Sequence, residues 1–298
     1  MTAPRRRCLR FSLRAFLLMA AVIGAALGWT IREARKQGAA IAELEKMGCS
    51  AQYYSDASPT ALEILRAMLG EREPRNVLRV CDEQRQITDA KLERVTRLDR
   101  LPSLYLRHSP LTDAGLVHLK GMPHLLELDL TGTNVTDVGL AHIQNLPELI
   151  KLSLSGTRVT DAGLAQLRTL KQLTTLNLHG TSVTDAGFSH LAELAQLKDL
   201  RLDCTQVTDA GLINLQRLPQ LESLWLSITR VTDAGLVHLQ QMPNLKDLLL
   251  RGTATTDAGL FHLRGLKNLE VLHLDQTQVT DAGAESIQRA LPNCRIVR

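Results

Sequence analysis

Along most of the chain, apolar positions fall in a pattern that returns at a fixed interval. In the stretch Leu125 to Pro147, Leu128 and Leu130 alternate with Glu127, Asp129 and Thr131, the period of two that marks a strand with one buried face. Gly132 and Thr133 turn the chain, and Thr136 or Asp137 stands where a side-chain oxygen caps a helix N-terminus. Leu140, Ile143 and Leu146 follow at a spacing of three on the inner side of a short helix, which Pro147 stops; prolines at 123, 219 and 243 occupy equivalent places.

The pair Thr-Asp recurs at 88, 112, 136, 160, 184, 208, 232, 256 and 280 without insertion or deletion, a period of 24 residues. The full string Thr-Asp-Ala-Gly-Leu begins at 112, 160, 208, 232 and 256. One strand and one short helix bury little by themselves, so neighbouring units must stack. Parallel strands about 4.8 Å apart predict a solenoid roughly 40 Å long, helices outside, with Gly139 and its equivalents letting the helix start approach the next coil.

Composition supports leucine as the packing residue: aromatic residues make up only 3% of the 298. Residues 1–36 carry eight of the 35 Lys and Arg and one of the 31 Asp and Glu, a net of +7, which leaves 27 and 30 in the remainder, a net of −3. The repeats therefore have no electrostatic footprint for nucleic acid. Residues 15–31, AFLLMAAVIGAALGWTI, predict a transmembrane helix or signal anchor, with Arg14, Trp29 and Arg32 at its ends. The basic tail 1–14 then lies in the cytoplasm and the repeats outside. A cleaved signal ending near Ala26-Leu27-Gly28, and so a secreted chain, is the alternative. Residues 32–76 read as a helical stalk and N-terminal cap: helix over 32–47, a turn-like stretch GCSAQYYSDASP, then a helix from Ser58-Pro59 to before Gly70 that covers the open sheet edge.

The L-x-x-L-x-L pattern of Leu125, Leu128 and Leu130, together with Val-Thr-Asp-Ala-Gly-Leu-x-x-Leu, resembles leucine-rich repeat proteins over residues 77–298. It is closest to the ribonuclease-inhibitor-like subclass, as in F-box leucine-rich repeat proteins and GALA-type repeats. With its basic anchor the chain looks like a bacterial membrane-anchored member. The resemblance implies an α/β solenoid with a parallel sheet on the concave face and short helices on the convex face, and protein recognition without chemistry. The F-box of a ubiquitin-ligase adaptor is missing. The subclass asparagine is threonine at 133, 157, 181, 205, 229, 253 and 277, so a threonine ladder bonding loop backbone is expected. At the ends, Asp82 in a leucine position and Arg85 in a threonine position make one edge polar, and Leu291 to Ile296 slips the register by one and ends the array.

The aspartates of the Thr-Asp pairs read as helix caps. His118, His142, His190, His238 and His262 share a column in which Gln166 and Asn214 also serve, so a hydrogen-bonding role is expected over metal binding. No motif of nucleophilic, phosphate or dinucleotide chemistry occurs, and neither an enzyme nor a cofactor or metal is expected. Cys49 and Cys81 are candidates for a disulfide. The strand positions facing solvent vary, and a protein partner is expected to read them at Tyr105, Arg107, Asp129, Asn177, Arg201, Trp225, Leu249, Arg251 and His273. Trp225 beside Leu249, flanked by Arg201 and Arg251, has the makeup of an interface hot spot. Two rival functions are an exported effector or substrate-recognition adaptor, and a self-associating cell-envelope protein.

Overall fold

The structure, a computed structural model, describes residues 32, 39, 41–43, 45–53, 77–98 and 101–298. The predicted membrane segment 15–31 and the predicted helix beginning at Ser58 lie outside these residues. Among the described residues no helix is long and apolar enough to cross a membrane.

The strands form one sheet of eleven, in chain order: β1 (Ser50–Tyr53), β2 (Val77–Cys81), β3 (Ser103–Tyr105), β4 (Glu127–Asp129), β5 (Lys151–Ser153), β6 (Thr175–Asn177), β7 (Asp199–Arg201), β8 (Ser223–Trp225), β9 (Asp247–Leu249), β10 (Val271–His273) and β11 (Arg295–Val297). From β2 onward every pairing is parallel and shifted by one 24-residue unit, so that Leu104, Leu128, Leu152, Leu176, Leu200, Leu224, Leu248 and Leu272 lie side by side. Each of these leucines is at most 2% exposed. Short helices beginning at the aspartates return the chain along the other side, as in Asp137–Ile143 and Asp161–Leu167, with Leu140, Ile143, Leu164 and Leu167 buried against the sheet.

Three expectations about the ends are corrected. The turn-like stretch after residue 48 contains β1, which pairs antiparallel with β2 and places Ser50 opposite Cys81. Pairing supplies partners to backbone groups of an edge that would otherwise stand open. Asp82 is buried, and its carboxylate accepts from the backbone N–H of Gln86 and Ile87 and from the Ser109 hydroxyl at 2.6–3.0 Å. A leucine site is thus held by a satisfied anion, and not by a polar outer edge. At the other end, Leu291 and Cys294 do enter the core one residue late, but β11 returns to register, with Ile296 opposite Leu272. The final helix, lengthened to Asp281–Ala290, introduces the slip, which is taken up between Cys294 and Arg295.

The Thr-Asp pair divides its labour differently from expectation. Threonine is the cap: the Thr136 hydroxyl accepts from the Val138 N–H at 3.3 Å, and the same contact recurs at Thr112, Thr160, Thr184, Thr208, Thr232 and Thr256. Aspartate reaches into the next coil. Asp113 accepts from the Thr136 backbone N–H (2.7 Å) with one oxygen and from the Thr136 hydroxyl (2.6 Å) with the other. Every aspartate of the column from Asp89 to Asp257 repeats this two-point contact. Asp281, in the last coil, pairs with Arg298 instead. The other threonine column forms no ladder between coils: the Thr133 hydroxyl donates to the Leu130 carbonyl at 2.7 Å within its own turn, as Thr157 does to Leu154.

The glycine after each Asp-Ala belongs to the same device. A Cβ on Gly163 would sit 2.3 Å from Asp137 Oδ1 and 2.9 Å from a Leu140 methyl. Gly163→Ala, which raises helix propensity, is expected to destabilise by about 2 kcal/mol through overpacking. Asp137→Ala should cost a similar amount by removing the carboxylate end of two hydrogen bonds. The double variant should lose at least about 1 kcal/mol less than the sum, measured by urea unfolding; strict additivity would refute the coupling.

Candidate functional site

Because all the parallel strands share one register, their outward side chains form columns across the concave face. Tyr105, Asp129, Ser153, Asn177, Arg201, Trp225, Leu249 and His273 stand in one such column. The sequence placed these residues together, and the structure does so too. Their environments split the face into two halves.

The N-terminal half is occupied with itself. Glu127 accepts from Lys151 (2.7 Å), from the Tyr105 hydroxyl and from Ser103. Asp129, whose side chain is only 6% exposed, accepts from Arg107 Nε and from the N–H and hydroxyl of Thr131. The sequence assigned Asp129 to the contact surface; its carboxylate instead shapes the face from beneath, because neighbouring donors have consumed its oxygens. Asn177 likewise turns its carbonyl to the His179 N–H at 3.0 Å. Burial pushes the Tyr105 phenol up to about 12, and the hydrogen bond to Glu127 adds to this. Burial acts to raise the Glu127 carboxyl, but the bonds from Lys151 and Tyr105 outweigh it and hold the group below its usual range.

The C-terminal half opens into a trough of about 650 Å³ floored by Trp225 and Leu249. Trp225 is half-buried, not free as its position in the strand pattern suggests: Arg201 stacks over its ring with the guanidinium carbon 4.1 Å from the centroid, and Nε1 donates to Ser223 Oγ at 3.0 Å. Arg201 is itself held by both oxygens of Asp199, at 3.0 and 3.3 Å. His273 lies 3.4 Å from Asp275, and Asp203 accepts from the Ser227 N–H. Arg251 lines the same trough, is exposed, and has no carboxylate within ion-pair distance among the described residues. At the entry side of the strands, burial and the carboxylates of Glu270 and Asp199 push Asp247 above the usual range.

The trough rim carries a feature the sequence reading missed. Just after each strand the backbone turns left-handed: Gly132, Gly156, Gly180 and Gly252 take φ of 64–67°. The equivalent residues in other coils are His108, Cys204, Ile228 and Gln276, at φ of 55–58°. Three of these, Cys204, Ile228 and Gln276, line the trough. For β-branched Ile228, 56% exposed, the conformation is strained. Aligning the glycines at the 24-residue period would have exposed the substitution pattern.

A second missed feature lies on the helices. Ile213, Val237 and Phe261 are one period apart and 52%, 39% and 62% exposed, an apolar stripe across three successive coils. Arg264 stacks over Phe261 at 5.0 Å. The histidine column on the same side is half-buried, with His262 bonded to Gln240 at 3.2 Å. Among the described residues no three His, Cys, Asp or Glu side chains converge as a metal site would require. Cys49 and Cys81 are both free thiols. Cys81 stands opposite Ser50 in the sheet, and Cys49, one residue earlier, belongs to the buried core on the other face. Burial, with Asp82 nearby, pushes the Cys49 thiol up to about 12.

The fold and its repeating unit define a leucine-rich repeat solenoid. Family models described as leucine rich repeat match residues 99–159 and 265–287. Among solved structures, an internalin C2 (inlC2) of Listeria monocytogenes is similar at 23% identity and TM-score 0.51, over 78% of this chain and 89% of that one. An internalin (inlF) of the same organism matches at 18% identity and TM-score 0.45, over 78% and 92%. A leucine-rich repeat protein of Leptospira interrogans matches at 21% and 0.46, over 69% and 62%. A comparison with curated proteins finds no match.

Two outcomes test this geometry. Ile228→Asn, which tolerates the left-handed turn, is expected to raise stability by about 1 kcal/mol, read as a higher urea midpoint. An unchanged midpoint would mean the turn is not strained. A phenol with a raised folded pKa stabilises the fold fully below its unfolded value, about 10. Tyr105 is therefore expected to contribute through neutral pH and to lose that contribution as pH rises from about 10 to about 12. Absorbance titration of Glu127→Gln should show Tyr105 ionising at lower pH than in the parent.

Proposed function

We propose that the chain is a membrane-anchored scaffold whose concave face recognises a protein partner. One observation carries this reading: on a sheet whose neighbouring strands share a single register, Trp225 stands beside Leu249 with one ring face covered by Arg201 and its N–H satisfied by Ser223. Interface anchors have this makeup, an aromatic ring fixed in place beside an aliphatic patch, so that little ordering cost is left for binding. The contact zone of this reading is Arg201, Trp225, Leu249, Arg251 and His273, which is supported by their grouping in and around the C-terminal trough. Tyr105, Arg107, Asp129 and Asn177 belong to the self-bonded zone that stiffens the remainder.

The Val-Thr-Asp-Ala-Gly-Leu string supports assignment to the ribonuclease-inhibitor-like, GALA-type repeats. The apolar run 15–31 between Arg14 and Arg32 supports an anchor with the repeats displayed outside the cytoplasmic membrane. A second reading, lateral self-association in the envelope, is favoured by the exposed stripe Ile213, Val237 and Phe261.

Cross-linking in intact cells tests the anchor, the concave-face contact and self-association. The full-length chain is expected in the membrane pellet, captured with a partner, and Trp225→Ala should weaken that capture by about 2 kcal/mol while costing the fold about 1 kcal/mol. A shorter soluble chain would overturn the anchor. Undiminished capture with Trp225→Ala, together with loss in Phe261→Ser, would transfer recognition to the convex stripe.

A further inference from the structure

Resting on the concave-face reading, we infer that the C-terminal trough takes an extended acidic peptide segment, in which an aliphatic or aromatic side chain lies on Trp225 and Leu249 and an adjacent carboxylate reaches Arg251.

The inference comes from which cationic side chains of the trough already have partners. Arg201 is held by Asp199, His273 stands against Asp275, Arg298 pairs with Asp281 and donates to the Val279 carbonyl, and Asp203 accepts the Ser227 N–H. Arg251 has none of these partners among the described residues, although it lines the same trough. An occupant that excludes water here would leave a desolvated guanidinium unless it supplied an anion, and a planar carboxylate matches that fork in two hydrogen bonds. The opposite end of the strands carries charges of both signs: Asp199 is held by Arg201, Glu222 lies between Lys198 and Lys246 at 3.3 and 2.6 Å, and Asp247 stands near Glu270.

The apolar half of the requirement follows from the floor and rim. Leu249 replaces the polar residues that occupy most of its column, and it borders Trp225 directly. Ile228 raises an exposed aliphatic side chain over the same space from a turn position where four coils use glycine. The volume of about 650 Å³ suits a few side chains of an extended chain and not a folded domain.

Peptide display on the full chain, purified in detergent, tests this. Selection from a random peptide library is expected to enrich Asp or Glu next to a Leu, Phe, Trp or Tyr. Selected peptides should bind Arg251→Glu about tenfold or more weakly, and selection on that variant should favour Lys or Arg in place of the acid. Cys204, an exposed thiol on the rim, should react more slowly with maleimide when peptide is bound. Enriched peptides without a carboxylate, or binding indifferent to Arg251→Glu, overturn the inference. If those peptides still compete with each other and weaken with Lys151→Glu, the concave-face reading survives without it. If no selected peptide protects Cys204 or responds to any concave-face variant, that reading falls too. A second copy of the chain as occupant would appear as a dimer in gel filtration that Arg251→Glu dissolves, and would likewise overturn the peptide assignment.

Discussion

Each coil of this protein is fastened to the next by one carboxylate. An aspartate in the first turn of a helix grips both the backbone N–H and the hydroxyl of the threonine that opens the following helix. That threonine is already the N-cap of its own helix, so one residue closes the local turn and receives its neighbour. The contact works only because the residue three past the aspartate's receiver is a glycine, leaving no Cβ where the carboxylate sits. Thr-Asp-Ala-Gly-Leu is thus a single mechanical part. It consists of a cap, a clasp, a spacer, a clearance and a core anchor. Leucine packing alone is non-directional and would permit coils to slide. The clasp fixes their phase on the helix side, as the parallel strand ladder does on the sheet side.

Fixed phase is what turns a varied sequence into a surface. Since Leu128 pairs with Leu152 and Leu152 with Leu176, residues 24 apart become neighbours, and the outward positions form columns whose contents can differ without disturbing the core. One half of that face has closed on itself through Glu127 and Asp129, whose oxygens are taken by Lys151, Tyr105, Arg107 and Thr131. The other half retains a trough floored by Trp225 and Leu249 and lined by Arg251, a cation with no ion-pair partner among the described residues. Rigidity in the first half and availability in the second are complementary properties of one sheet.

The period, the strand and helix of each unit and the buried leucines were legible in the sequence, because each depends on spacing that any coil displays. Contacts between coils were not. Asp137 reads as a cap when only its own helix is considered, and its true acceptor role toward Thr160 becomes visible only when coils are stacked. Strand β1 was hidden for a similar reason: Ser50 to Tyr53 has weak strand character, and the neighbouring edge at Val77–Cys81 decides its conformation. Trp225 and Leu249 were found as neighbours by counting, yet Arg201 lying over the indole required geometry. The burial of Asp129 was not legible either, because alternation reports the side of a sheet and says nothing about the donors of Arg107 and Thr131 that crowd over it.

Glycine usage along the rim connects stability with recognition. The turn after each strand demands a left-handed residue, and glycine meets that demand without steric penalty at 132, 156, 180 and 252. In the coils that border the trough, cysteine, isoleucine and glutamine accept the same backbone geometry. An isoleucine in that conformation is opposed by contact between its Cβ and the backbone, so local energetics alone would have favoured a smaller residue. What isoleucine adds is an exposed aliphatic side chain that lines the same trough as Trp225 and Leu249. The strained turn at Ile228 therefore lines the same trough as Arg251, which among the described residues has no carboxylate within ion-pair distance.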